Sequence, residues 1–167
     1  MNKLNKNRIL ILLLFLLYLI LLPRDYMVYD FQIWKNWAIY IHQHGLTNAY
    51  NNDFMVDYHP VYLYAIWVYD LIQGNEHSII ANINYIKLFP LLFDFLPIVA
   101  LCCFRQSLIK HKIPFLLLLL NMAYMYNSIV WGQIDSVHSN LSFLAVLVSF
   151  TNPLLSGFLF TFALCTK

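Results

Sequence analysis

Charge is scarce in this sequence of 167 residues, of which Asp, Glu, Lys and Arg together make up 11%. A soluble domain carries about 25% charged residues. The shortage therefore argues against a soluble enzyme and against a nucleic-acid binder. Cysteine is rare too: Cys102, Cys103 and Cys165 all lie in apolar runs. Their spacing gives neither a disulfide framework nor a zinc site, which leaves them as packing residues. The sequence has no internal repeat, no low-complexity linker, and no lipidation or retention signal.

Hydrophobic residues fill the gap, at 61% of the chain. This composition predicts an all-α polytopic membrane protein. A bilayer core of about 30 Å takes roughly 20 helical residues per crossing, so the length admits about five spans in a single membrane domain over 1–167. The placement of charge then sets the topology. Lys3, Lys6 and Arg8 precede the apolar run Ile9 to Leu22, and Pro23, Arg24, Asp25 and Tyr26 follow it without a small-residue cleavage site. This predicts an uncleaved anchor reaching Val28, with a cytoplasmic N-terminus.

Ile83 to Cys103 predicts the next span, and the basic cluster of Arg105, Lys110, His111 and Lys112 assigns its far end to the cytoplasm. Residues 23–81 are then the first outer loop, with Asp25, Asp30, Asp53, Asp57, Asp70 and Glu76 against only Arg24 and Lys35. Two surface helices are expected within it. One starts at Asp30, carries Trp34, Trp37, Ala38 and Ile41 at helical spacing, and ends near Gly45. The other covers Val61 to Ile72, with Pro60 in its first turn; twelve residues of helix reach only about 18 Å, too short to cross. Further spans are expected from Ile113 to about Asn127, from Val137 to Phe150, and from Leu154 onward after a turn at Asn152 and Pro153. The last run stops at Lys167, as in the N-terminal part of a longer chain.

Under this topology Asp30, Asp57, His59, Gln133, Asp135 and His138 reach the outer face from two separate loops. Asp30 fits a helix N-cap, and equally a carboxylate held rigidly where a general base would sit. Asp57 fits a turn before its helix, or a substrate ligand. His42 and His44 lack the four-residue spacing of a helical zinc site, which assigns them structural roles. Lys87 and Asp94 stand seven apart, two turns along one helical face, as a buried pair or beside a polar cavity. Asn140, Leu141 and Ser142 match a glycosylation acceptor only weakly, at a span entrance.

An ordered set of pieces now stands out: Asp30 before a Trp-rich helix, then Asp57-Tyr58-His59-Pro60-Val61, then Lys87-Leu88-Phe89-Pro90 with Asp94, then Asn127 with Trp131-Gly132-Gln133-Ile134-Asp135-Ser136. This order resembles the polytopic GT-C glycosyltransferases that use isoprenyl-phosphate-linked sugars, a group of mannosyl-, glucosyl- and aminoarabinosyl-transferases. His59 departs from the proline common in that family, and the family's usual eight or more spans exceed what fits here.

The resemblance implies a hexosyltransferase core. Asp30 would take the proton of an acceptor hydroxyl as its oxygen attacks the anomeric carbon and the isoprenyl phosphate leaves. It further implies substrate contacts from Asp57, His59, Gln133, Asp135 and His138, and a divalent cation (Mg or Mn) in relatives that use one. The implied partners are the lipid-linked sugar, a glycan or lipid acceptor and the bilayer, in a bacterial plasma membrane or an endoplasmic reticulum membrane. The competing expectations are a transporter fragment or non-catalytic membrane subunit, resting on Lys87 and Asp94, and a truncated, inactive transferase.

Overall fold

The computed structural model describes residues 3–23, 28–51, 56–101 and 120–166. Helix α1 (Lys3–Leu21) is built from the leucine-rich run and stops where Leu22 closes a last bond to the Tyr18 carbonyl ahead of Pro23. Helix α2 (Val28–His44) carries Asp30 in its first turn and is ended by Gly45 at φ +80°, whose N–H bonds the Ile41 carbonyl at 2.8 Å. Asp30 therefore lies inside the helix rather than capping it. A 3-10 turn over Leu46–Asn51 follows.

Helix α3 (Pro60–Gln73) has proline at its start, where no N–H is missed, and a left-handed Gly74 at its end. Helix α4 (Glu76–Ala81) is capped by the Asn75 side chain, which accepts from Ser78 N–H at 2.9 Å. After a 3-10 turn over Ile83–Lys87, helix α5 runs Leu88–Val99. A short helix α6 (Met122–Met125) passes into a π-helical turn over Tyr126–Trp131. Helices α7 (Asp135–Val148) and α8 (Pro153–Leu164) complete the order as an antiparallel pair, with Asn152 capping α8. No strand occurs among the described residues.

The core forms in two clusters. In the larger, Trp34, Trp37, Ala38 and Ile41 of α2 pack on Tyr62, Leu63 and Ile66 of α3, on Val137 and Leu141 of α7, and on Ala163 of α8. Edge-on ring contacts hold it, Phe31 to Trp34 at 5.0 Å and Trp34 to Tyr62 at 5.9 Å. His42 joins Asp70 at 2.7 Å and ties the end of α2 to α3. In the smaller cluster, Ile11, Leu14, Tyr18 and Leu22 of the N-terminal segment meet Leu91, Phe95 and Ile98 of α5 and Ile129 of the π turn.

This architecture corrects the polytopic reading. Among the described residues, no helix is long and apolar enough to cross a membrane. The expected anchor spends its first two turns on Lys3, Lys6 and Arg8 and ends at Leu21 rather than Val28. Of the stretch expected to span from Ile83, the described residues form a 3-10 turn and the twelve-residue α5, about 18 Å long. Helices α7 and α8 have 14 and 12 residues, again too short. The two expected surface helices, α2 and α3, instead bury their aromatic faces against each other. With the spans go the outer-loop topology, the cytoplasmic N-terminus, and the plasma-membrane or reticulum assignment. Cys102, Cys103, the basic cluster at 105–112 and residues 113–119 of the expected 113–127 span lie outside the described residues.

Candidate functional site

The site is organised by the turn between α6 and α7. Its π-helical residues end at Gly132, which sits at φ +70°. A Cβ added there would meet Lys87 Cγ at 3.0 Å, Trp34 Cζ3 at 3.3 Å and Phe31 Cζ at 3.4 Å. Glycine is thus required twice over, by backbone sign and by space. Behind it the Lys87 side chain is fully buried, its Nζ 4.5 Å from the centre of the Phe31 ring and 3.4 Å from the Leu22 carbonyl. Gln133 N–H returns to the Asn127 carbonyl at 3.0 Å and closes the turn.

This closure lays Trp131 and Gln133 on the first turn of α2. Asp30 Oδ2 accepts the Trp131 indole N–H and, at 2.8 Å, the Gln133 side-chain amide. Gln133 Oε1 in turn accepts the Tyr58 hydroxyl at 3.0 Å. Tyr58, Gln133, Trp131 and Asp30 therefore form one connected polar network joining three distant stretches of chain. Burial pushes the Tyr58 phenol up to about 12, and the negative charges of Asp57, Asp135 and Asp30 push it the same way. The hydroxyl stays protonated at neutral pH and keeps donating.

The structure thus joins Gln133 directly and Asp30 through it to one phenol, on which Asp57 and Asp135 act electrostatically. His59 stands exposed as the residue before α3, without capping that helix through its side chain. His138 turns away: its Nδ1 lies 3.0 Å from the Ala163 carbonyl and links α7 to α8. Tyr58 and Trp131 are the members that sequence reasoning missed as site residues. Both stood beside predicted ones, but their roles depend on the turn at Gly132.

Beneath Asp135 a cavity of about 260 Å³ is lined by Asp94, Ala123, Asn127, Asp135, Ser136 and Ser139. Asp94 is 1% exposed and accepts Asn140 Nδ2 at 3.2 Å through Oδ1, while Oδ2 makes no hydrogen bond. Burial pushes the Asp94 carboxyl up to about 7. Ser128, Ser136 and Asn140 pull the other way, although neither serine hydroxyl closes a bond on Oδ2. A larger cavity of about 540 Å³ between α3, α5 and α8 has apolar walls, such as Tyr64, Val68, Phe89 and Phe162, and contains none of the predicted site residues.

Compared with protein-family models, curated proteins and solved structures, the chain matches none. The glycosyltransferase resemblance is accordingly withdrawn, because its motifs lie on short packed helices and no family model supports them. With it go the hexosyltransferase activity, the role of Asp30 as a general base at a membrane face, the isoprenyl-phosphate sugar, the glycan or lipid acceptor, and the bilayer as partner. Among the described residues no group of three or more His, Cys, Asp or Glu could hold a metal ion, so the Mg or Mn that the resemblance implied has no such cluster to hold it.

Proposed function

We propose that the chain is a binding module for an organic cation, with Asp30, Asp57 and Asp135 as its charged acceptors and Tyr58, Trp131 and Gln133 as the frame that fixes them. The observation that carries this reading is the hydrogen-bonded network of Tyr58, Gln133, Trp131 and Asp30, which fixes one carboxylate beside a phenol that Asp57 and Asp135 also act on. A cation seated beside these carboxylates is attracted by each of them. Asp30 serves here as an anchored acceptor, held by the Trp131 and Gln133 donors. His138, committed to the Ala163 carbonyl, stays outside the binding set.

The test is calorimetric titration of the full chain with n-butylammonium and tetramethylammonium, and with the neutral polyol sorbitol as contrast. Cation binding is expected, weakened by added salt and roughly tenfold by Asp57→Asn or Asp135→Asn, a loss of about 1.4 kcal/mol. Sorbitol binding as tightly as either cation, or affinity indifferent to both substitutions, would overturn the proposal.

A further inference from the structure

We infer that the cavity between Asp94 and Asp135 is a seat for a primary ammonium group, the arm of the cation proposed above. An R–NH₃⁺ head carries three N–H donors and requires acceptors on several sides. The cavity offers them: Asp94, whose buried Oδ2 makes no hydrogen bond, lines it together with Asp135, Asn127, Ser136 and Ser139. Leaving such a group unmet costs free energy that a donor entering the cavity recovers.

Size and charge narrow the ligand further. At about 260 Å³ the space takes an aminoalkyl arm. A quaternary ammonium has no N–H to give Asp94, so it is confined to the outer carboxylates. Burial alone disfavours the charged Asp94, and a cation in direct contact restores it. Asp135 borders the cavity and also acts on Tyr58, so one ligand can reach both parts.

This inference rests on the cation-binding reading, and the two fail in different ways. Calorimetry on the full chain compares n-butylammonium with tetramethylammonium. The wild type is expected to prefer the primary amine at least tenfold. Asp94→Asn, which keeps the carboxyl's shape, should bring that ratio close to one while leaving tetramethylammonium affinity unchanged. Should Asp94→Asn fail to fold, Ser139→Leu, at an exposed position on the cavity wall, should remove the same preference by filling the space. Equal affinities for the two amines in the wild type, or a preference that survives the variant tested, overturns the ammonium seat and leaves the outer site standing. A parallel loss for both amines in Asp94→Asn overturns it too, by showing that Asp94 only supports the fold. If neither amine binds the wild type, the cation-binding proposal falls and the inference falls with it.

Discussion

Asp94 is the residue at which physical chemistry and position conflict most. A carboxylate at 1% exposure loses nearly all its hydration, and one hydrogen bond from Asn140 at 3.2 Å does not replace it. Hence the folded carboxyl titrates at about 7, against roughly 3.9 in an unfolded chain. Between those values the folded state binds the extra proton, so stability falls as pH rises through that window and levels off above it. Asp135 borders the same cavity, and Lys87, buried one element earlier, is the nearby cation along the chain. Denaturant unfolding from pH 5 to pH 8 should therefore show the wild type losing a few kcal/mol that Asp94→Asn does not lose. A steeper or equal slope in the variant would place the titration elsewhere. The sequence made this residue visible: a charge in the run Leu88 to Val99 had to be paired or face a polar cavity. Its neighbours Ser128, Ser136 and Asn140 come from chain 34 to 46 positions away and could not be read from spacing.

At the scale of elements, two glycines end segments in the same left-handed conformation but carry different burdens. Gly74 closes α3 with open space around its missing Cβ. Gly132 closes the π turn against Lys87, Trp34 and Phe31. Gly74→Ala should cost about 1 kcal/mol, the penalty for positive φ alone. Gly132→Ala adds overpacking of a buried wall, for a total of roughly 3 kcal/mol, and should also weaken cation binding by moving Trp131 and Gln133 off Asp30. Equal thermal shifts for the two variants would contradict this account. The helices α2 and α3 were legible from apolar spacing and from Pro60 and Gly45, because caps and breakers act within a few residues. What those helices face was not legible. Trp and Tyr at helical spacing fit a membrane surface and a protein core equally well, and only the contact of Trp34 with Tyr62 decides for the core.

At the scale of the whole molecule, the two core clusters differ in how firmly they hold their helices. Helix α2 is clasped by α3, α4 and the 3-10 turn after it, and it buries Phe31, Trp34, Trp37, Ala38 and Ile41. Helix α1 buries only Ile11, Leu14 and Tyr18, with Phe15, Leu19 and Leu21 half-buried beside them, while Leu12, Leu13, Leu16, Leu17 and Ile20 are exposed. Opening α1 exposes less buried surface than opening α2. Its amides from Leu12 to Tyr18 should therefore exchange at least roughly tenfold faster than those from Trp34 to Ile41 in native-state hydrogen exchange. Uniform protection across both helices would show a single cooperative core instead.

The sequence by itself determined the helical secondary structure of the described residues, the helix end at Gly45, and the presence of Asp30, Asp57, Gln133 and Asp135 in two polar stretches, because propensity, capping and left-handed turns are local physics. Tertiary structure alone decided where the apolar faces go and which polar groups meet. The same hydrophobic run satisfies a bilayer or a neighbouring helix, and only helix length and packing partners separate the two. The seat of Trp131 and Gln133 on Asp30, across about a hundred residues of chain, exists because Gly132 lets the backbone close onto α2.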